Sequence, residues 1–219
     1  INGLAPHDQG DIRIFNESLS QLSKPRLRTL RQKVGVVFQQ FNLVQNVSVF
    51  QNVLYGALGQ QRLGLLSTLS CTASHELRER AMQSLDRVGL AHKAQASCRE
   101  LSGGQQQRVA IARTLMQDAQ IIIADEPIAS LDPKAGREIM DLLLEVVSER
   151  GLTVLCTLHQ LELAQQYGDR IVGMKAGTVV LDPPRETATL SDMQALYQGD
   201  TRVEQTPSSP TTSQPLRAI

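Results

Sequence analysis

The sequence predicts an α/β fold with a mostly parallel sheet and an inserted helical subdomain. Three short runs, rich in β-branched residues and almost continuously apolar, are typical of parallel strands buried on both faces. They occupy residues 34–38 (VGVVF), 121–124 (IIIA) and 153–158 (TVLCTL). Helical patterns separate these runs. With 219 residues, 41% of them apolar, the chain is long enough to bury a core.

The clearest helix is predicted for residues 133–150. Asp132 suits its N-cap, Pro133 its first position and Gly151 the position after its end. One face carries apolar side chains at helical spacing: Ile139, Leu142, Leu143 and Val146. We expect this face to lie on the sheet.

The region between the first two strand-like runs differs from the rest. Residues 42–99 include a charged amphipathic helix at about 74–88 and predict a helical subdomain. The core would then consist of residues 1–41 and 100–203.

Two further segments are predicted near the C-terminal end. Residues 170–174 and 178–181 flank Lys175-Ala176-Gly177 and indicate a hairpin. Residues 204–219 are rich in Pro, Ser and Thr and almost without apolar side chains, so we expect a disordered tail.

Composition excludes several classes of function. Lys+Arg and Asp+Glu both number 22, so no basic excess indicates a nucleic acid partner. Cys71, Cys98 and Cys156 match neither a disulfide framework nor a metal-ligand spacing, which fits a reducing cytoplasm. No run approaches the roughly 18 apolar residues of a membrane span. A membrane role would therefore require a partner.

Polar residues follow each predicted strand: Gln39, Asp125 with Glu126, and His159. Since ligands bind at the carboxyl ends of strands in open α/β sheets, these side chains can converge on one site. Asp125 and Glu126 are consecutive and point in different directions, so one can hold a water of Mg²⁺ while the other activates an attacking water. Taken alone, Gln39 is an ordinary polar strand end, and a lone histidine is more often structural than catalytic.

Residues 101–108 read LSGGQQQR. Ser102 and Gln105 form the S-x-x-Q pattern of a capping box, which would open an ordinary helix at 105–115 with the two glycines as loop. Alternatively, Gly103 and Gly104 let the backbone approach an anion, and the helix dipole with its free N–H groups faces a phosphate.

These segments, in this order, resemble the nucleotide-binding domain of ABC transporters, a P-loop NTPase-like fold. LSGGQQQR is similar to the family's signature, and IIIADEP at residues 121–127 to its Walker B strand. Four segments are most similar to the corresponding sequences of the bacterial phosphonate-import ATPases: VFQQFNLV, SVFQNVLYGALG, ADEPIASLDP and TLHQ.

The resemblance implies a role for each motif. Asp125 and Gln39 would bind Mg²⁺, while Glu126, His159 and Gln39 would act in ATP hydrolysis. Ser102, Gly103, Gly104 and Gln105 would contact ATP bound to a second subunit. Ser130 and Asp132, in a segment that is otherwise a plain helix start, match the D-loop through which paired ATPase domains sense each other.

The resemblance also implies partners. Two copies of the ATPase subunit would enclose two ATP molecules beneath two transmembrane permease subunits, fed by a periplasmic solute-binding protein. No nucleic acid is involved, and the location would be the cytoplasmic face of the bacterial inner membrane. The solute is selected by the permease and the binding protein, so only the sequence similarity to phosphonate-import ATPases indicates phosphonate.

One motif that the family requires does not occur in this sequence, which contains no G-x-x-x-x-G-K-[ST] phosphate loop. Residues 1–4 (INGL) resemble the end of the helix that follows such a loop. We therefore expect an N-terminally truncated chain that binds ATP poorly and is inactive alone.

Three functions remain open at this point. The first is a transport ATPase for phosphonate or another solute such as phosphate, phosphite or an amino acid. The second is an ABC ATPase of DNA maintenance, which would show long heptad insertions that residues 39–102 do not contain. The third is an inactive interaction module.

Overall fold

The structure, a computed structural model, describes residues 3, 8–61 and 65–182. The chain divides into two compact units, one ending at Thr157 and the other beginning at Leu158. The predicted tail at 204–219 lies outside the described residues. The division into a core and a helical subdomain at 42–99 stays a prediction.

A three-stranded parallel sheet forms the centre of the first unit. Its strands are β3 (Val34–Val37), β4 (Ile121–Asp125) and β5 (Thr153–Thr157), in the order β3-β4-β5. A short antiparallel pair, β1 (Arg13–Ile14) and β2 (Glu17–Ser18), precedes them. The three predicted strands are therefore confirmed to within a residue or two at their ends, whereas the β1–β2 pair was not predicted.

Six α-helices belong to the described part of the first unit. They are α1 (Lys24–Gln32), α2 (Val49–Leu54), α3 (Leu65–Thr68), α4 (His75–Arg87), α5 (Gly103–Met116) and α6 (Pro133–Arg150). Helix α6 has the predicted bounds, with Asp132 at its N-cap and Gly151 in a left-handed conformation after its end. Helix α5 begins two residues earlier than predicted, so Gly103 and Gly104 form its first turn rather than a loop.

The two faces of the sheet are covered differently. On one face, Val37, Ile122 and Ala124 are fully buried. Helix α5 approaches β3 so closely there that a Cβ atom on Gly35 would collide with Thr114. On the other face, Val34 joins Ile14, Leu19 and Leu30 in a cluster that also packs against Ile121 and Ile123.

The expectation that all three strands are buried on both faces is wrong for β5. Its side chains alternate between exposed and half-buried, and Leu155 is 44% exposed. The reason is a difference in coverage, because β3, at the opposite side of the described sheet, is well buried, while the cluster on the second face contains residues of β3 and β4 but none of β5.

The second unit contains helix α7 (Leu161–Tyr167) and an antiparallel hairpin of β6 (Gly173–Lys175) and β7 (Thr178–Leu181). Lys175 pairs with Thr178, so the turn has two central residues, Ala176 and Gly177, both with positive φ. This is the geometry of a type I′ turn, which matches the twist of the strands. The hairpin is confirmed, with a first strand shorter than predicted. No described helix is both long and apolar enough to span a bilayer.

Candidate nucleotide and magnesium site

The carboxyl ends of the three parallel strands meet at one edge of the sheet. Asp125 and Thr157 are the last residues of β4 and β5 and are register partners. Gln39 lies two residues beyond β3, exposed in a turn. Within the first unit, the fold therefore places Gln39, Asp125 and Glu126 at the same edge, as the sequence predicted.

A single hydroxyl group connects the two acidic residues. Thr157 Oγ1 donates a hydrogen bond to Asp125 Oδ1 over 2.8 Å, and it accepts one from the backbone N–H of Glu126 over 2.9 Å. The hydroxyl thus uses its donor and one acceptor position at the same time. Sequence reasoning missed Thr157, although its place at the end of the neighbouring strand was a usable signal.

The backbone of Glu126 is strained. Its φ of 46° lies in the left-handed region, which costs a residue other than glycine about 1–3 kcal/mol. Such strain persists only where the surroundings enforce it, and it is concentrated at functional sites. The bond to Thr157 is one of the contacts that hold this conformation.

The loop that follows Gln39 is held by helix α5. Phe41 and Asn42 both have positive φ, of 56° and 49°. Arg113, on α5, donates to the carbonyl oxygen of Asn42 over 2.6 Å and to that of Phe41 over 3.2 Å. Burial lowers the pKa of Arg113 below its usual value, yet arginine stays charged. A forked cation therefore holds an unusual backbone turn.

A second side chain holds the same loop further along. Asn52, fully buried on α2, accepts from the N–H of Val44 and donates to its carbonyl oxygen. It also lies 3.0 Å from the sulfur of Cys98. Burial raises the pKa of the Cys98 thiol to about 11, so this cysteine is a neutral, inert part of the core at neutral pH.

The glycine-rich segment forms a complete capping box. Ser102 Oγ accepts from the N–H of Gln105, and the Gln105 side chain accepts from the N–H of Ser102. The N–H groups of Gly103 and Gly104 have no acceptor within a helix at these positions, and no acidic residue stands in the first turn. The capping box and an anion site are therefore compatible.

The two glycines differ in their surroundings. A Cβ atom at Gly103 would lie 3.2 Å from Leu131 and 3.6 Å from Phe41, so this glycine permits a close approach of three segments. A Cβ atom at Gly104 would meet only Ala135, at 3.8 Å, which is ordinary contact. Packing within this chain thus explains why residue 103 is a glycine. It does not explain why residue 104 is one, because a side chain would fit there.

Helix α5 also contacts the turn after Glu126. Gln107, fully buried, donates from Nε2 to the carbonyl oxygen of Pro127 over 2.7 Å. Among the described residues, the Oε1 atom of Gln107 is the one buried side-chain oxygen or nitrogen that has no hydrogen-bond partner. Sequence reasoning missed both Gln107 and Arg113, because a polar residue inside an amphipathic helix gives no sign of which loop it reaches.

Ser130 and Asp132 are exposed residues of the segment between β4 and α6. The Asp132 carboxylate accepts from the N–H groups of Ala135 and Lys134. These bonds, chiefly the one from Ala135, lower the pKa of Asp132. Asp132 is thus an N-cap, whatever its role toward a second subunit.

His159 belongs to the second unit. It stands two residues before α7 with an exposed side chain. Its role toward ATP stays a prediction.

The donor chemistry at the sheet edge fits magnesium. Asp125 and Gln39 offer carboxylate and amide oxygens, the hard ligands that Mg²⁺ prefers. Among the described residues, no group of three or more His, Cys, Asp or Glu side chains is arranged to hold a metal ion. Mg²⁺ usually binds through only one or two carboxylates together with waters and substrate phosphates, so two ligands suffice here.

Residues 1–129 match the family model described as ABC transporter. The chain belongs to the ABC transporter family. It is 48% identical over 198 residues to a phosphate-import ATP-binding protein, PhnC, of Mycolicibacterium smegmatis. This match covers 90% of this chain and 74% of that protein. It is 49% identical over 185 residues to a phosphonates import ATP-binding protein, PhnC, of Frankia casuarinae, covering 83% and 71%.

Solved structures agree with this ABC assignment. The chain superimposes on the ATP-binding cassette MJ0796, a dimer in a post-hydrolysis state bound to ADP and Pi, with a TM-score of 0.65 and 37% identity. The match covers 81% of this chain and 74% of that one. The α/β ABC ATPase fold predicted from the sequence is confirmed.

Proposed function

We propose that this chain is the ATP-hydrolysing subunit of an importer and couples hydrolysis to the uptake of phosphonate or a related phosphorus oxyanion. The observation that carries the proposal is the Asp125–Thr157–Glu126 arrangement at the edge of the parallel sheet. It fixes the Asp125 carboxylate and the backbone that carries the Glu126 carboxylate, and metal-assisted phosphoryl transfer to water needs one such group for the metal and one for the water.

Each predicted site residue has a separate task in this proposal. Asp125 and Gln39 hold Mg²⁺, which when bound supplies positive charge against the triphosphate. Glu126 orients the attacking water and takes its proton. His159 contacts the γ-phosphate.

The remaining motifs act across a pair of subunits. Ser102, Gly103, Gly104 and Gln105 bind the γ-phosphate of ATP held by the other copy, where the free N–H groups and the helix dipole favour an anion. Ser130 and Asp132 report the state of one site to the other. The dimeric state of MJ0796 supports this arrangement. Two permease subunits, supplied by a periplasmic binding protein, complete the importer at the cytoplasmic face of the inner membrane.

A different solute is the second candidate. The relative in M. smegmatis is named for phosphate import and that in F. casuarinae for phosphonates. Phosphite or an amino acid would need a different permease and binding protein but no change in the residues described above. The inactive interaction module would be supported by the absence of turnover in the assay below.

The test separates catalysis from solute choice. The sequence contains no G-x-x-x-x-G-K-[ST] motif. The ATPase assay therefore uses a fusion in which a phosphate-loop segment of an ABC ATPase precedes this chain, with the chain alone as control. We expect Mg²⁺-dependent ATP hydrolysis by the fusion; no turnover would contradict the proposal. Uptake of radiolabelled phosphonate and phosphate by vesicles containing the cognate permease then decides the solute.

A further inference from the structure

We propose that Thr157 is a positioning residue, whose single hydroxyl group fixes both the Asp125 carboxylate and the backbone of Glu126. The inference rests on the proposed ATPase function for its consequence in turnover. Its structural part stands independently of that function.

The direction of both hydrogen bonds follows from chemistry. A carboxylate only accepts, so the Thr157 hydroxyl must donate to Asp125 Oδ1. A backbone N–H only donates, so the same oxygen must accept from Glu126. Each bond polarises the hydroxyl in the sense that strengthens the other.

The place of Thr157 at the end of β5 explains how one hydroxyl reaches both groups. Asp125 and Thr157 are register partners at the last rung of the β4–β5 ladder, so the hydroxyl meets the carboxylate side by side. Glu126 follows directly after this last rung, and its backbone N–H reaches the same hydroxyl oxygen before the chain turns away at the positive φ of Glu126. A residue one position earlier on β5, Cys156, would project from the opposite face.

The same hydroxyl constrains two parts of the structure that catalysis needs. One is the rotamer of the carboxylate assigned to Mg²⁺. The other is the backbone from which the assigned general base projects. A displacement of about 1 Å at such a site can cost about a hundredfold in rate.

The variants separate the hydroxyl from the shape of the side chain. Thr157→Val removes the hydroxyl and keeps the branched shape, while Thr157→Ser keeps the hydroxyl. Thr153→Val is the matched control, since Thr153 is exposed on the same face of the same strand at its other end. Site-resolved hydrogen exchange and backbone chemical shifts of Glu126 are measured on the 219-residue chain without nucleotide.

In Thr157→Val we expect the Glu126 amide to exchange about tenfold faster and its shifts to move away from those of a left-handed residue. Thr157→Ser should restore both values, and Thr153→Val should leave both unchanged. Unchanged exchange and shifts in Thr157→Val, or equal changes in the serine or control variant, would overturn the proposal.

Turnover is then compared in the fusion assay. Thr157→Val should lower kcat by about tenfold to a hundredfold with KM for ATP nearly unchanged, and Thr157→Ser should recover most of the loss. Equal kcat in all variants would overturn the catalytic consequence. If the unsubstituted fusion shows no turnover, the proposed function fails, whereas the exchange and shift measurements still decide whether Thr157 positions Glu126.

Discussion

Arg113 donates a hydrogen bond of 2.6 Å to the backbone carbonyl oxygen of Asn42, 71 residues away in the sequence. The helix that begins after Ser102 therefore also holds the loop that begins at Gln39. Gln107, on the same helix, reaches the carbonyl oxygen of Pro127, next to Glu126. A displacement of α5 would thus reach both strand ends through direct contacts.

Replacing Arg113 should loosen the loop after Gln39. In Arg113→Lys the charge remains, but one ammonium group cannot reproduce the fork that reaches both carbonyl oxygens. We expect the free energy of unfolding to fall by about 1–3 kcal/mol. Denaturant titration and hydrogen exchange at residues 41–44 are the measurements. Arg137→Lys, an exposed position on α6, is the control, and equal effects in the two variants would contradict the proposed clamp.

Gln107 offers a test with a pH dependence. Gln107→Met should cost about 1–3 kcal/mol, because the Pro127 carbonyl loses its donor. Gln107→Glu places a carboxyl group in a fully buried position, where burial raises its pKa. Only the neutral form can donate to Pro127, so stability is retained below the unfolded pKa of about 4.3 and lost as pH rises through the folded pKa.

Urea titrations from pH 4 to pH 8 check this expectation. Gln83→Glu, at an exposed position on α4, should show no such dependence. A Gln107→Glu chain that is equally stable across this range would mean that the side chain at residue 107 turns to solvent.

The sequence predicted those features that depend on neighbouring residues. Asp132, Pro133 and Gly151 mark the ends of α6 by their own conformational preferences, and Ser102 with Gln105 marks the start of α5. The contacts of Thr157, Arg113 and Gln107 join residues 32, 71 and 20 positions apart. They depend on how the strands and α5 are arranged, which no local pattern contains. The exposure of Leu155 likewise depends on which elements cover β5.

The Asp132 cap should give the protein a dependence on acid pH. Its pKa is lowered mainly by the hydrogen bond from Ala135, so the stabilisation is present above the unfolded pKa of about 3.9 and lost as pH falls through the folded pKa. Asp132→Asn retains a good N-cap without a charge, so it should remove this part of the pH dependence. Asp132→Ala should be less stable at neutral pH, and its deficit should shrink below about pH 4.

Thermal unfolding of the variants from pH 3 to pH 7 measures both effects. Asp86→Ala, at an exposed position on α4, is the control. An Asp132→Ala deficit that is the same at every pH would show that the carboxylate charge does not contribute to the cap.

Gly104 should separate folding from subunit pairing. Its Cβ position is open, so Gly104→Ala and Gly104→Asp should both fold, and the aspartate is favoured by the dipole at the start of α5. The same negative charge would repel the γ-phosphate of ATP on the other subunit. We expect Gly104→Asp to lose ATP-dependent dimerisation of the fusion in light scattering while its melting temperature is unchanged or higher. Gly103→Ala, which would crowd Leu131, should instead lower the melting temperature.

Glu126→Gln should separate ATP binding from hydrolysis in the fusion. The amide retains the size of the side chain and its backbone bond to Thr157, but it cannot take a proton from water. Loss of a general base lowers kcat by about 10²–10⁴-fold, so the ATP-bound dimer should accumulate. Glu162→Gln, an exposed position in the first turn of α7, tests for a general effect of removing one carboxylate.

Turnover is measured as the release of phosphate, and dimerisation is measured by light scattering with Mg-ATP. Turnover near that of the unsubstituted fusion would remove Glu126 from the role of base, and the proton would then have to be accepted by the phosphate itself or by another residue at the sheet edge.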